Sequence, residues 1–223
     1  MKMERYSDVA LRTLKFIVLL LLFWTSSFLI TPTFAQTGTN DIVLYASKAP
    51  TKSGYWLVES DGTAAGGNRI RYADAGAPKI ESPLASPTQY FEMSFNAQSG
   101  TPYRLWMRGK ADGNSTNNDS AWVQFTGSTD AGGNQRYRIG TAQALNVNLA
   151  TCADCALSGW GWQNRGYWEA DTGEVWFSTS GLQTIRIQIR EDGVAVDQIV
   201  LSPQRFVDTA PGPPTGDNTI VQK

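Results

Sequence analysis

Apolar and polar positions alternate with a period of two through most of the chain beyond residue 40. The stretch YFEMSFNA (90–97) sets Phe91, Met93 and Phe95 against Glu92, Ser94 and Asn96. YRLWMRG (103–109) sets Tyr103, Leu105 and Met107 against Arg104, Trp106 and Arg108. SAWVQFTG (120–127), EVWFSTS (174–180) and TIRIQIRE (184–191) repeat the pattern, with Ile185, Ile187 and Ile189 as one unbroken apolar row. Strand side chains point alternately to opposite faces, so each stretch predicts a strand with one face in a core. DIVLYAS (41–47) opens the series as a β-branched run, and VAVDQIVLS (194–202) closes it as a strand apolar on both sides. Strings such as SDGTAAGG, ADGNSTNND, TDAGGNQ and EDG separate the strands as turns. No convincing helical period occurs. Seven or more short strands without helices predict an all-β domain over 41–207, a two-sheet antiparallel β-sandwich of the jelly-roll type.

The same alternation places Trp106, Trp122 and Trp176 opposite the aliphatic residues of their strands, in phase with Arg104, Arg108, Arg186 and Arg190. Were these strands neighbours in one sheet, its outer face would carry tryptophans interleaved with arginines and glutamines. Two readings of such a face stay open. One is a set of arginine–tryptophan stacks under long loops, each worth about 0.5–2 kcal/mol. The other is a ligand platform.

The two ends read differently from the middle. A charged stretch, an apolar run at 16–30 and the small residues Thr33 and Ala35 make 1–35 a cleavable signal peptide. The run of 15 residues is short for a bilayer span, which needs about 20. An uncleaved anchor is the alternative; either way the domain leaves the cytoplasm, to a secreted, periplasmic or cell-surface location, with no stable membrane insertion once the signal is removed. The stretch DTAPGPPTGDNTIVQK (208–223) is rich in proline and glycine without a period, and reads as a linker or frayed end.

Charge narrows the partners. Lys+Arg at 19 against Asp+Glu at 20 leaves a net charge of −1, without the basic excess that nucleic-acid phosphates require. The two cysteines, Cys152 and Cys155, stand in CADC. With no histidine and no second cysteine pair, a zinc site of the usual ligands cannot be completed. In an exported chain the pair predicts a small-loop disulfide, with a redox pair as the lesser reading.

Histidine, the commonest general base, is absent. Glycoside hydrolysis needs two carboxylates about 5 to 10 Å apart across a cleft, and most carboxylates here lie in turn strings where they are simply solvated. The expectation is a protein that is not an enzyme. SGWGWQNRGYW (158–168) points elsewhere, with three tryptophans and a tyrosine in eleven residues of loop-like sequence. An aromatic ring stacks on the C–H face of a pyranose while amides, carboxylates or arginines take the hydroxyls. Trp162, Tyr167 and Trp168 are the candidate stacking rings, with Trp160 the one expected to fold back as a lid. Asn164, Asn118 and Asp119 are the candidates for hydroxyl contacts, and Trp122 is an outer-face alternative. The loop KADGNSTNNDSAW (110–122) is an ordinary solvated hairpin loop, part of the same rim, or a set of oxygen ligands for a cation.

The segments PYRLWMRG…NDSAWVQF, SGWGWQ and GLQTIRIQIREDGVAVDQIVLSP resemble the galactose-binding-like β-sandwich modules, in particular carbohydrate-binding modules of families 6 and 35 and malectin-like modules. The likeness runs from about Asp41 to Phe206, and REDGVAVDQIVLSP is its most specific part. It implies a non-catalytic jelly roll that binds a poly- or oligosaccharide through aromatic loops at one end of the sandwich, or on a sheet face. It also implies a structural calcium, held by a glutamate late in the first strand and an aspartate in the last. Asp197 matches the second position, and Ser47 stands at the first. The competing reading is a structural or protein-interaction module of a secreted or surface assembly.

Overall fold

The computed structural model describes residues 40–223; the 1–35 leader expected from sequence lies outside the described residues. Thirteen strands form: β1 (Ile42–Tyr45), β2 (Thr51–Ser53), β3 (Trp56–Ser60), β4 (Asn68–Tyr72), β5 (Tyr90–Ala97), β6 (Tyr103–Ala111), β7 (Ser120–Phe125), β8 (Ser128–Thr129), β9 (Leu145–Asn148), β10 (Gly161–Gln163), β11 (Glu174–Phe177), β12 (Gly181–Ile189) and β13 (Val194–Ser202). Among the described residues, helix occurs only as short 3-10 turns, and no helix is long and apolar enough to cross a membrane.

The strands make two antiparallel sheets, as the alternating pattern predicts. The first runs β3-β4-β13-β6-β11-β8, with β1 also on β13 and β10 also on β6. The second runs β2-β5-β12-β7-β9. The strand apolar on both sides, β13, lies between β6 and the β1/β4 edge and is buried along its whole length. The inward rows Leu105/Met107, Val123/Phe125, Ile185/Ile187 and Ile199/Leu201 meet in one core between the sheets. At its centre Phe177 meets Phe95 and Phe125 edge-to-face at 5.6 and 5.9 Å, the geometry that the ring quadrupoles favour.

One detail of register sets up the rest. β10 pairs with Met107–Gly109 and β11 with Tyr103 and Arg104, both on the side of β6 that β13 leaves free. They follow one another along that side of β6, with β8 pairing only the far end of β11. The chain leaves that edge after Gln163 and rejoins it at Glu174, so 164–173 is an excursion from the sheet rim.

Two expectations are corrected here. The outward tryptophans do not share a sheet: Trp106 and Trp176 are on the first, Trp122 on the second. The stretch 208–223 is no free linker. Val221 joins Phe206, Trp106, Trp162 and Val200 in a second apolar cluster on the outer face of the first sheet, and Asp217 is buried. Composition alone misleads because the apolar residues of this segment are few and far apart, and much of what holds it is polar: the buried Arg108–Asp217 ion pair and hydrogen bonds to the backbone of 158–162.

Truncating the central ring tests the core. Phe177→Ala is expected to lower unfolding stability by about 3–5 kcal/mol, whereas Leu182→Ala, 72% exposed on β12, shifts it by no more than about 0.5 kcal/mol. Urea melts of the two variants measure both.

Candidate functional site

The excursion 164–173 is pinned rather than loose. The Asp171 carboxylate accepts hydrogen bonds from the Arg136 guanidinium, the Tyr137 hydroxyl and the Gly173 amide, the last at 2.7 Å. Arg165 donates to the Asp171 carbonyl, and Asn164 Nδ2 to the Thr172 carbonyl at 3.0 Å, closing the neck of the loop. Gly166 N–H bonds Asn146 O on β9 at 2.9 Å, which ties the loop to the edge of the second sheet. Gly166 also has a steric role: a Cβ there would lie 3.0 Å from the six-membered ring of Trp168, which rests against it.

Tyr167 and Trp168 stand out from this frame at 42% and 48% exposure. Their rings meet at right angles with centroids 4.6 Å apart, an aromatic corner with two differently oriented faces. Beneath them lies Arg190, at the end of β12. Its guanidinium sits 5.7 Å from the Trp168 ring and 5.5 Å from Trp122, so one buried cation bridges the exposed indole and a buried one. Arg190 Nη1 donates to Ser120 Oγ at 2.6 Å and to Glu191 Oε1 at 3.0 Å.

Glu191 is the link to the neighbouring cleft. A hollow of about 540 Å³ is lined by Asp74, Lys79, Asp112, Asn118, Glu191 and Asp192, with smaller residues between them. Most of its charged groups are already engaged. Asp192 takes the amides of Ala75 and Ala77 at 2.8 Å each, Asp112 takes Arg71 at 2.9 Å, and Asp74 takes Asn118 Nδ2 at 3.0 Å. The walls are therefore three loops stitched together by their own carboxylates.

Behind Glu191 lies Asp119, fully buried. Asn148 Nδ2 donates to it at 2.5 Å, and Ser120 Oγ donates to Glu191 Oε2 at 2.5 Å. Burial, followed by the hydrogen bond to Glu191 and that residue's charge, pushes the Asp119 carboxyl from 3.8 up to about 8. The backbone joins the two residues as well, the Asp119 amide donating to Glu191 Oε2 at 3.3 Å.

The structure thus separates the sequence candidates. Tyr167 and Trp168 face solvent side by side. Trp162 does not: at 1% exposure it is covered by the 208–223 segment, because β10 turns its side chain to the outer face where that segment packs. Trp122, at 8%, is capped by the chain around Ile80, whose carbonyl accepts its indole N–H at 3.0 Å. That is the loop-covered arginine–tryptophan stack, here without an open platform. Asp119 is inaccessible, Asn118 is mostly buried and braces the cleft, and Asn164 closes the loop neck. Trp160 folds in as the expected lid, its indole N–H on Thr63 Oγ1 at 2.9 Å. Sequence marked Arg190 only by its phase with the tryptophans and gave Glu191, Lys79 and Asp74 no place in the site, because what joins them is purely spatial. Cys152 and Cys155 form a disulfide in the loop that precedes Trp160.

The calcium that the family resemblance implies does not fit the residues present. Asp197 Oδ2 accepts Arg108 Nη1 at 2.5 Å and Oδ1 accepts Ala65 N at 2.8 Å, so both oxygens are used and the neighbouring charge is positive. At the other expected position Ser47 offers only a neutral hydroxyl, buried without a hydrogen-bond partner. Among the described residues no cluster of three or more Asp, Glu, Cys or His is placed to hold a metal.

No family model matches the chain, and no curated protein matches it in sequence. Solved structures similar to it include a Podospora anserina GH26-CBM35 β-(1,4)-mannanase, at 14% identity and TM-score 0.45 over 74% of this chain and 28% of that one. A family 35 carbohydrate-binding module from Clostridium thermocellum matches at 16% identity and TM-score 0.44, over 72% of this chain and 96% of that one. The C-terminal CBM6 of LamC from Zobellia galactanivorans matches at 9% identity and TM-score 0.37, over 73% and 99%. The chain thus spans little more than a quarter of the mannanase and nearly all of each isolated module.

The carboxyl pair gives a pH prediction. Below about pH 4 Asp119 is protonated folded and unfolded; as pH rises toward 8 the unfolded chain releases the proton and the folded one keeps it. This group's contribution to stability is therefore complete in acid and lost as pH climbs through about 8. Asp119→Asn, which keeps an acceptor for Asn148 and cannot titrate, is expected to flatten that part of the stability–pH curve. Urea midpoints of wild type and variant from about pH 5 to 8 check it; parallel curves refute the upward shift of Asp119.

Proposed function

We propose that this protein is an exported, non-catalytic carbohydrate-binding module whose contact surface is the Tyr167–Trp168 corner and the polar cleft beside it. The observation that carries the reading is the pair of half-exposed rings on a loop fastened at Asp171, Asn164, Gly166 and Arg190. A fastened loop loses little conformational freedom when a sugar docks, so stacking on either ring is translated into affinity with a small ordering cost. Asp74 and Lys79, both exposed at the cleft, offer an acceptor and a donor for ring hydroxyls. Affinities for such a site are expected in the micromolar-to-millimolar range, about −4 to −8 kcal/mol.

The absence of catalysis is part of the proposal, supported by how the cleft carboxylates are used. Asp192, Asp112 and Asp74 are held by loop amides, Arg71 and Asn118, and Glu191 by Ser120 and Arg190. Export is supported by the leader composition and by the Cys152–Cys155 disulfide, which suits an oxidising compartment. The rival, a structural or interaction sandwich, draws on the burial of Trp106, Trp122, Trp160 and Trp162.

Affinity electrophoresis through gels of neutral, amino-sugar and uronic-acid polysaccharides decides between them. Retardation of wild type by at least one glycan is expected, reduced by about tenfold or more in Trp168→Ala and Tyr167→Ala, whose melting temperatures stay within a few degrees of wild type. Trp162→Ala is expected to lose about 3–5 kcal/mol of stability instead. Failure of every glycan to retard the wild type would leave the structural rival standing.

A further inference from the structure

We propose that Arg108 is a built-in structural cation, and that segment 208–223 is a strap which this arginine locks across β10 at the root of the aromatic loop. The guanidinium is fully buried with two carboxylates. It donates from Nη1 to Asp197 Oδ2 at 2.5 Å and from Nε to Asp217 Oδ2 at 2.6 Å. Nη2 reaches the Asp217 carbonyl at 3.0 Å, Nη1 the Thr63 carbonyl at 3.2 Å, and the plane lies 5.0 Å from the Trp160 ring. The second oxygen of each carboxylate is taken by a backbone amide, Ala65 for Asp197 and Thr219 for Asp217. One side chain thereby joins β6, β13, the 61–65 turn and the C-terminal segment, which is the cross-linking task of a buried metal ion.

The strap then runs along the chain that leads into the ligand loop. Trp162 N–H donates to the Pro213 carbonyl at 3.1 Å, Asp217 N–H to the Trp160 carbonyl at 2.8 Å, and Gly216 N–H to the Ser158 carbonyl at 2.6 Å. Gln198 exchanges two hydrogen bonds with the backbone of Val221, at 2.8 and 3.0 Å. The fit over β10 is tight: a Cβ on Gly161 would stand 1.8 Å from the Pro214 carbonyl oxygen. Gly161 has no left-handed backbone angle, so the approach of the strap is what requires a glycine there. The strap itself follows from these contacts alone; its effect on sugar binding rests on the function proposed above.

The test uses the full chain. Melting temperatures of wild type in EDTA and in about 5 mM calcium chloride are expected to agree within about 1 °C, since no calcium site adds to the folded state. A reversible rise of several degrees with calcium overturns the built-in cation. Asp217→Asn, which weakens the clasp, and Gly161→Ala, which displaces the strap without touching a charge, are compared by amide hydrogen exchange. At least a tenfold faster exchange at 158–163 is expected in both, with β12 still protected. Unchanged exchange there in Gly161→Ala overturns the strap, and that variant keeps the test decisive should Asp217→Asn fail to fold. If the wild type binds a glycan, Gly161→Ala is expected to bind it less tightly although both aromatic rings are intact. Should no glycan bind, the exchange result still decides the strap.

Discussion

The cluster of Arg108 with Asp197 and Asp217 is the constraint on which the outer half of this molecule depends. Removing three charges from water is expensive, and the attraction among them offsets that only where geometry is close and every remaining donor and acceptor is met. Burial pushes the Asp197 carboxyl upward, and the Arg108 bond only partly draws it back. Such a cluster adds modest net stability but tolerates very few alternative arrangements. If Asp217 left, Arg108 would keep only Asp197 and the Thr63 carbonyl as hydrogen-bond partners. The segment after β13 therefore has one placement, over the outer face of the first sheet, and Trp106 and Trp162 are closed in by it.

A second buried arginine does comparable work on the other sheet. Arg190 lies against both Trp122 and Trp168, while its Nη1 is bonded to Ser120 and Glu191. Because the hydroxyl and carboxylate fix the guanidinium, the indole resting on it is fixed too. Trp168 is thus half-exposed for a mechanical reason: it meets Arg190, Gly166 and the Tyr167 ring, and the rest of the indole is open to solvent. The two arginines divide the aromatics of the 158–168 stretch, one helping to bury Trp160 and the other propping Trp168 outward.

What the sequence conveys follows the same division. Period-two alternation reports which way a side chain faces from its own strand, so Leu105, Val123, Ile185 and the doubly apolar β13 were legible. It carries no information about what lies above the outer face. Trp162 and Trp168 look alike on paper, yet one is under the strap and the other in solvent, and that difference is decided by Asp217, some fifty residues downstream. Proline and glycine in 208–223 suggested a linker because composition counts apolar residues and does not see a carboxylate aimed at a buried arginine. Tyr167 and Trp168 were named only as members of a loop-like aromatic stretch that gave Trp162 the same reading.

The charge of the cleft bears on which ligands such a site accepts. Asp74, Asp112, Glu191 and Asp192 line it against Lys79, and Arg71 and Arg190 offset Asp112 and Glu191 from behind. Asp74 and Asp192 are satisfied by amide donors, which meet their hydrogen-bonding needs but cancel no charge. The hollow is therefore net negative where a ligand would enter. A uronic-acid chain would carry its own carboxylates into that field with little ion screening over a few ångströms. A neutral pyranose meets no such opposition, and an amino sugar is drawn in. Stacking on Tyr167 and Trp168 is indifferent to this distinction, since each sugar presents the same C–H face. On the function proposed above, the rings would supply affinity for pyranoses, and the carboxylates of the adjoining loops would disfavour the acidic ones.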